Sequence, residues 1–356
     1  MTPRNFKRLV KAHRLVPSCR SSRPGWDLPW LPAGSVLAQA SPIPNIFNAA
    51  STPSDSINRL SLFVLIITGL IFAVVFTLLV LAVARFRRRD DDDGREPAQV
   101  YGSNQMELAW TVVPCLIVLV LFLATARVIY SVQDALPPPD AIHVTAIGHQ
   151  YWWEFRYPEL GVVTANELHV PVSDRDHPSP TYVQLLSADT DHSFWVPQLA
   201  GKTDLIPNHP NSMWMDPHDT GMYVGQCAQY CGVQHAKMLL RVYVDSPARF
   251  REWVAAQKLP APASDSVAKG RELFLKTSCI NCHSVSGTVA NGLFGPDLTH
   301  MMSRDTIASG AAANTHENLV QWIRNPDSLK PGSLMPAMNL SEQDLQAVTA
   351  YLESLQ

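Results

Sequence analysis

Two long apolar stretches in the N-terminal third of the chain restrict its possible folds most strongly. Residues 60–84 form twenty-five consecutive positions without a charge, and a second apolar stretch runs from about 108 to 130. About 20 such residues are enough to cross the hydrocarbon core of a bilayer as a helix. The sequence therefore predicts a transmembrane hairpin within residues 45–136, with spans at about 60–84 and 108–130.

Basic residues beside the first apolar stretch indicate how the hairpin crosses the membrane. The run R-F-R-R-R occupies positions 85–89, directly after the first span. Because Lys and Arg concentrate in cytoplasmic loops, the loop between the two spans is predicted to be cytoplasmic. Everything after the second span is then expected on the outer side of the membrane.

Residues 1–44 are predicted to be a leader or signal segment. They are rich in Arg and Lys, and A-Q-A at positions 38–40 fits a signal-peptidase site. The apolar core that a signal peptide needs is short here and is broken by prolines. A cleaved signal and an uncleaved leader therefore both remain open.

The charge balance separates the chain from nucleic-acid-binding proteins. Its net charge is -3 at pH 7, and no nucleic-acid partner is expected. The segment Asp140–Asp245 is more acidic, with twelve Asp and Glu against five Lys and Arg. Such a surface would steer a basic partner electrostatically, although solubility explains the same composition equally well.

A short segment, G-Q-C-A-Q-Y-C-G-V-Q-H-A-K-M at 225–238, concentrates soft metal ligands. It contains two thiols, an imidazole and a thioether, at Cys227, Cys231, His235 and Met238. These donors suit copper better than hard cations. Flanking glycines favour a loop over a helix. The alternatives are a structural zinc loop and a disulfide, and zinc sites favour Cys and His without a thioether.

The region around this segment has the pattern of an antiparallel β domain. Between residues 140 and 248, short runs with alternating apolar and polar positions are separated by turn residues. This period of two predicts a β-sandwich or barrel. A further copper ligand is wanted from another part of that domain, and His192, in D-H-S-F-W-V-P, is the candidate.

The C-terminal part has a different composition and a different motif. Residues 249–266 are predicted to be a linker, and residues 267–356 a separate helical domain. Cys279-Ile-Asn-Cys282-His283 is the C-x-x-C-H site to which c-type haem is attached covalently. P-G-S-L-M-P at 331–336 offers Met335 as a second axial ligand, with Met338 as the competitor.

Together these motifs resemble subunit II of a caa3-type haem–copper cytochrome c oxidase, from about residue 45 to the end. The resemblance implies a multidomain fold with a two-helix transmembrane hairpin, a cupredoxin-like β-sandwich (140–248) and an all-α class I cytochrome c domain. It also implies a binuclear copper centre, CuA. Cys227 and Cys231 would bridge the two coppers, His192 and His235 would each bind one, and Met238 would be a weak axial ligand.

One position departs from the family pattern. The residue between the cysteines is usually Glu, whose backbone carbonyl binds copper and whose side chain reaches a magnesium ion at the contact with subunit I. Here it is Gln229. The carbonyl is retained, but the neutral amide is a weaker oxygen ligand, so the magnesium contact is less favoured.

The resemblance assigns roles to further residues. Cys279 and Cys282 would bind haem c, with His283 and Met335 as axial ligands. Glu107 would mark the start of a proton pathway into subunit I, although a carboxylate at a helix N-terminus is favoured by the helix dipole in any case. Tyr151 and Trp152, in G-H-Q-Y-W-W-E-F, would receive electrons above the copper site, and core packing is the alternative role for either ring.

The resemblance therefore implies the electron-input subunit of a terminal oxidase in the bacterial inner membrane, with its copper and haem domains on the periplasmic side. Cytochrome c or another donor would supply electrons, and subunits I and III would be partners. Oxygen would be reduced to water in another chain, coupled to proton translocation. The alternatives are the CuA subunit of a nitric oxide reductase, a membrane-anchored electron-transfer protein, and a quinol oxidase subunit, which would lack the copper ligands.

Overall fold

A computed structural model describes residues 45–87, 99, 101–133, 141–176, 178–262 and 264–356. The predicted leader at 1–44 lies outside these residues, as does most of the loop between the spans. The described chain combines two long helices, a β-sandwich and a helical C-terminal unit. The predicted fold class is confirmed in each of these three parts.

The two apolar stretches form helices α1 (Thr52–Arg85) and α2 (Asn104–Gln133), which pack against each other. Both helices are long and apolar enough to cross a membrane. Helix α1 begins well before the predicted span because its first turn is part of the sandwich surface. There the Thr52 hydroxyl donates to Asp216 Oδ2 at 2.6 Å, and Pro53 and Ser54 are buried.

Ten strands form the sandwich. Their bounds are β1 Ile142–His149, β2 Trp152–Tyr157, β3 Val162–Ala165, β4 Glu167–Pro171, β5 Thr181–Ser187, β6 His192–Trp195, β7 Thr203–Leu205, β8 Asn211–Met215, β9 Gly221–Cys227 and β10 Leu239–Asp245. One sheet has the order β3-β2-β1-β5-β8 and the other the order β4-β10-β9-β6-β7. The pairing is mostly antiparallel, but β1 pairs with β5, and β4 with β10, in parallel.

The two sheets enclose one core of aromatic and aliphatic side chains. Trp153 and Phe155 extend from β2, and Phe194 extends from β6 of the opposite sheet. The rings of Trp153 and Phe194 meet edge to face, with centroids 5.6 Å apart and an angle of 85°. This arrangement is favourable for aromatic pairs. The contact between these two rings fixes the spacing of the sheets beside residues 225–238, the predicted copper-binding segment.

The predicted linker at 249–266 overlaps a helix, α3, at Pro247–Gln257. Ser246 caps this helix by accepting from the Arg249 amide, and Phe250 and Val254 pack into the sandwich core. The apolar positions recur at helical spacing and face the sheet. We therefore propose that the sandwich domain extends to Gln257, and that the linker is shorter than predicted.

The C-terminal unit consists of four helices around its own core. Their bounds are α4 Ala268–Lys276, α5 Cys279–Cys282, α6 His316–Arg324 and α7 Glu342–Glu353, with a two-residue ladder between Thr306–Ile307 and Ala312–Ala313. Helices α4 and α7 cross closely at Gly270, where an added Cβ would lie 1.9 Å from the Ala347 carbonyl oxygen. Glycine is therefore required for this crossing, which supports the haem-binding segment that follows α4.

Candidate metal and haem sites

The predicted copper-binding segment, residues 225–238 (the copper loop), connects two paired strands. Strands β9 and β10 are antiparallel neighbours, and the Cys227 amide donates to the Met238 carbonyl at 2.9 Å. This hydrogen bond closes the segment into a loop, whose last part is a single 3-10 turn at His235–Lys237. Strand β6 lies on the other side of β9, with Phe194 opposite Cys227. The sheet thereby brings His192 to the loop.

The side chains of five predicted copper ligands meet in this loop. Cys227 Sγ lies 3.8 Å from Cys231 Sγ and 3.9 Å from His192 Nδ1. Cys231 Sγ lies 3.8 Å from both His235 Nδ1 and Met238 Sδ. The two sulfurs thus occupy the centre, with one imidazole on each side. Soft donors arranged in this way fit a pair of copper ions held between two thiolates.

Burial and proton sharing prepare the sulfurs for metal binding. His192, Cys227, Cys231 and Met238 are all buried, and His235 is half-buried. A hydrogen bond with Cys231 lowers the pKa of Cys227 to about 3, and the same contact raises the pKa of Cys231. One thiolate therefore forms readily. A metal ion that displaces the proton from Cys231 would allow both sulfurs to be thiolates, because its positive charge offsets the repulsion between them.

Gln229, the remaining residue predicted at the copper site, places its backbone carbonyl next to the sulfur atoms. The Gln229 carbonyl oxygen lies 3.2 Å from Cys227 Sγ, and its side chain is exposed. A backbone carbonyl close to the sulfur cluster fits the role that the resemblance assigns to this residue. The change from Glu to Gln leaves that carbonyl unaffected.

Asp189 holds His192 in an orientation that would suit copper binding. Its Oδ1 accepts from His192 Nε2 at 2.7 Å, which leaves Nδ1 free on the side of the cysteines. Burial opposes ionisation of this carboxyl, but the hydrogen bonds from His192 and from the Gln150 and Thr190 amides keep its pKa below the usual range. Gly148 adds a steric constraint, because a Cβ there would lie 2.8 Å from His192 Cδ2.

Asp189→Asn is expected to weaken copper binding about 10- to 100-fold, the usual loss when the partner of a metal-bound imidazole is removed. The amide can no longer stabilise the Nε2–H donor as a carboxylate does. Copper competition titration of the purified chain measures the change. Asp191→Asn is the matched control, because Asp191 is exposed and lies outside the ligand cluster. Equal affinity in both variants would contradict the orienting role.

The C-x-x-C-H motif forms one wall of a cavity in the C-terminal unit. Cys279 and Cys282 lie one turn apart on α5, and His283 follows directly. Apolar side chains from the surrounding helices complete the lining, at Phe274, Leu298, Met301, Ile323, Val348 and Leu352. Two thiols and an imidazole at the wall of an apolar cavity fit covalently bound haem.

His283 is oriented by one backbone contact. Its Nδ1 donates to the Pro296 carbonyl at 2.8 Å, which leaves Nε2 available for iron. Burial lowers the pKa of His283, so the imidazole is neutral, as a metal ligand must be. Met335 and Met338 both line the same cavity. The structure thus leaves both methionines within the haem site.

Two buried cations also line the cavity. Arg304 and Lys330 are 8% and 3% exposed, and within the described part of the chain neither forms an ion pair. Arg304 Nε is buried and has no hydrogen-bond partner among the described atoms. Buried charges are normally paired. A ligand that carries carboxylates, as haem does, would supply the missing negative charge.

The aromatic segment of the sandwich connects the two sites. Gln150, Tyr151 and Trp152 line the haem cavity, although they belong to the sandwich domain. The Gln150 side chain donates to the Cys231 carbonyl at 2.6 Å, and the Tyr151 hydroxyl accepts from the Val233 amide at 3.2 Å. The copper loop and the haem cavity are therefore separated by one segment of chain.

Three family models match this chain in sequence order. The transmembrane domain of cytochrome c oxidase subunit II matches residues 40–128, its periplasmic domain matches 176–244, and cytochrome c matches 267–356. The cytochrome c oxidase subunit 2 of Alkalihalophilus pseudofirmus is 35% identical over 298 residues, which cover 82% of this chain and 84% of that protein. The chain belongs to the cytochrome c oxidase subunit II family.

Some other relatives are named after quinol and not after cytochrome c as the electron donor. The quinol oxidase subunit 2 of Bacillus spizizenii is 31% identical over 234 residues, which cover 64% of this chain and 68% of that protein. Among solved structures, the periplasmic domain of cytochrome oxidase subunit II from Bradyrhizobium japonicum is 29% identical. It covers 35% of this chain and 97% of that domain, with a TM-score of 0.32.

Membership of the subunit II family establishes the general role of the chain. It is a membrane-anchored subunit of a haem–copper oxidase, with an oxidoreductase role and other oxidase subunits as partners. The periplasmic-domain and cytochrome c matches imply copper and haem c as cofactors.

Several contact residues could not be identified from the subunit II motifs. Asp189 lies outside the ligand segment, Arg304 follows the haem motif by more than twenty positions, and Lys330 reads as an ordinary turn residue before Pro331. The only signal for Asp189 was its position three residues before His192. Glu107 lies in the first turn of α2, as predicted, and its role in proton transfer stays a prediction.

Proposed function

We propose that this subunit receives electrons from cytochrome c at a covalently bound haem c and passes them through a binuclear CuA centre to subunit I. The observation that carries the proposal is the connection between the two sites. Residues 150–152 line the haem cavity, and two of them, Gln150 and Tyr151, also hydrogen-bond to the copper loop. A chain with two unrelated redox sites would not need to place them against one shared segment.

For the copper centre, each side chain has a distinct task. Cys227 and Cys231 would bridge the two ions, while His192 and His235 would bind one each from opposite sides. Met238 is completely buried, and would close the site against water as a weak ligand. The Gln229 carbonyl would complete the set. When bound, the copper pair supplies a one-electron carrier whose environment changes little on reduction.

For the haem, Cys279 and Cys282 would form the thioether links, with His283 and Met335 as axial ligands. Met/His ligation raises the potential of a haem, as an electron acceptor from cytochrome c requires. The apolar lining excludes water from the iron. Tyr151 and Trp152 are each only 9% exposed, and their rings would carry electrons between the haem cavity and the copper loop.

Oxygen reduction to water, coupled to proton translocation, would take place in subunit I of the same complex, with subunit III as a further partner. Glu107, at the start of α2, would begin a proton pathway at that contact. The haem and copper domains would lie on the periplasmic side of the bacterial inner membrane. This placement agrees with the basic residues that follow the first span.

Metal analysis with optical and EPR spectroscopy of the purified full-length chain tests the proposal. We expect two coppers that share one unpaired electron, together with one covalently bound low-spin haem. Haem with zinc, or without any metal in the sandwich, would contradict the relay. A rate of electron delivery to nitric oxide that exceeds the rate to oxygen, in the assembled complex, would favour the nitric oxide reductase alternative.

A further inference from the structure

The junction between the sandwich and the cytochrome unit contains a buried lysine. Lys330 belongs to the cytochrome unit, and its Nζ donates to the Tyr151 carbonyl at 2.7 Å and to the Ala308 carbonyl at 2.9 Å. Only 3% of the residue is exposed, and burial lowers its pKa to about 7. Both acceptors are neutral, so the contacts compensate the charge only in part.

This burial is unusual for an amine. Lysine is almost never fully buried unless a carboxylate is beside it, because the flexible side chain can normally reach water. Lys330 has no ion-pair partner in the described part of the chain, and it lines the haem cavity. A buried amine held by two carbonyls, beside a cavity that would contain a redox group, points to a role in that group's chemistry.

The contact of Lys330 with Tyr151 extends to the copper loop. Tyr151 receives the Lys330 hydrogen bond on its backbone carbonyl, and its hydroxyl accepts from the Val233 amide. The preceding residue, Gln150, donates to the Cys231 carbonyl. Lys330 therefore fixes one end of a segment whose other contacts reach a predicted copper ligand.

Other contacts hold the two domains together independently of Lys330. The Glu167 carboxylate accepts from the Asp305 and Thr306 amides at 2.9 and 3.0 Å. On the neighbouring strand, the Leu239 amide donates to the Ser309 carbonyl, and the Ser309 hydroxyl donates back to Leu239. Because these backbone contacts remain when Lys330 is replaced, a variant at this position tests the local segment and not the docking of the domains.

We propose that Lys330 is a positioning residue for electron transfer between the haem and the copper centre. Its amine holds the Tyr151 backbone at the haem cavity, and the positive charge of its protonated form stabilises the reduced haem. This inference rests on the proposed function, because it requires that both redox groups are present.

Replacement of Lys330 separates these two effects in the assembled oxidase. In Lys330→Met, loss of the charge should lower the haem potential by about 59 mV, which is a tenfold change in its one-electron reduction equilibrium against an external redox couple. A larger driving force alone would speed the transfer. We expect it to slow instead by about tenfold after flash reduction of the haem, because the Tyr151 segment is no longer held.

Lys330→Gln keeps a hydrogen-bond donor without the charge. Its haem potential should fall as in Lys330→Met, while the transfer rate should equal or exceed that of the wild type, because the driving force is larger and the Tyr151 segment is still held. Lys258→Met is the matched control, because Lys258 is an exposed lysine directly after helix α3 that belongs neither to the copper-ligand segment nor to the lining of the haem cavity. Neither the haem potential nor the rate should change in that variant.

Three results would overturn the proposal. One is a transfer rate in Lys330→Met that equals or exceeds the wild-type rate, and another is equal slowing in Lys330→Gln. The third result applies if Lys330→Met does not assemble, and it is a haem potential in Lys330→Gln that equals the wild-type potential. Absence of haem-to-copper transfer in the wild type would instead overturn the proposed function, and this inference with it.

Discussion

Cys227→Ser is expected to remove the copper centre completely and to leave the haem spectrum unchanged. Cys227 Sγ is the sulfur closest to His192, and it lies 3.8 Å from Cys231 Sγ and 3.2 Å from the Gln229 carbonyl. A serine hydroxyl does not ionise at neutral pH, and its hard oxygen is a poor ligand for copper. Without a second bridging thiolate, the remaining donors cannot hold two ions.

Copper content and the EPR spectrum measure this effect on the purified full-length variant. Copper should fall from two ions per chain to one at most, the signal of an unpaired electron shared by two coppers should disappear, and oxygen consumption by the assembled oxidase should fall to background. Reduction of the haem by an external donor should continue. Cys115→Ser is the matched control, because Cys115 is a free thiol in helix α2, far in sequence from both motifs. Two coppers retained in Cys227→Ser would contradict the bridging assignment.

The copper site and the haem site differ in how far the sequence alone predicts them. Cys279, Cys282 and His283 are consecutive in one short motif, so local chemistry identifies them without knowledge of the fold. The proposed copper ligands also lie in one short segment, with the exception of His192, which lies thirty-five positions before Cys227. Alternation in the strands predicts a sandwich, but it does not predict which strands are neighbours. The sequence therefore offers His192 only as a candidate, and its role as a ligand of one copper is implied by the resemblance to a known family.

Residues at the domain junction show what a single sequence leaves open. Lys330 stands before Pro331 and Gly332, a composition typical of an exposed turn, and nothing local predicts that its side chain is buried. Its burial depends on the Tyr151 segment, which is 179 positions away. Helix α3 was not predicted for a related reason, because the Ala- and Pro-rich sequence after it favoured a linker over residues 249–266. Long-range packing decides both cases.

Met335→Ala is expected to change the axial ligation of the haem, whereas Met338→Ala is not. The Met338 sulfur lies 4.0 Å from the Ser278 hydroxyl, and its side chain packs against the hydrophobic core of the cytochrome unit. Met335 lines the cavity without such a contact among the described residues. Pro336 also disfavours the helical region for the backbone of Met335, which keeps this segment out of a helix.

Loss of the thioether should convert the haem to a high-spin or water-ligated form. Its potential should fall by on the order of hundreds of millivolts, since axial ligands set haem potentials over about 0.8 V. The near-infrared sulfur-to-iron band and a redox titration measure both changes. Met335→His adds a positive test, because an imidazole at the correct position restores a low-spin iron at a lower potential than methionine does. A normal spectrum in Met335→Ala, with the change in Met338→Ala, would reverse the assignment. It would also mean that the Ser278 contact is broken when haem binds.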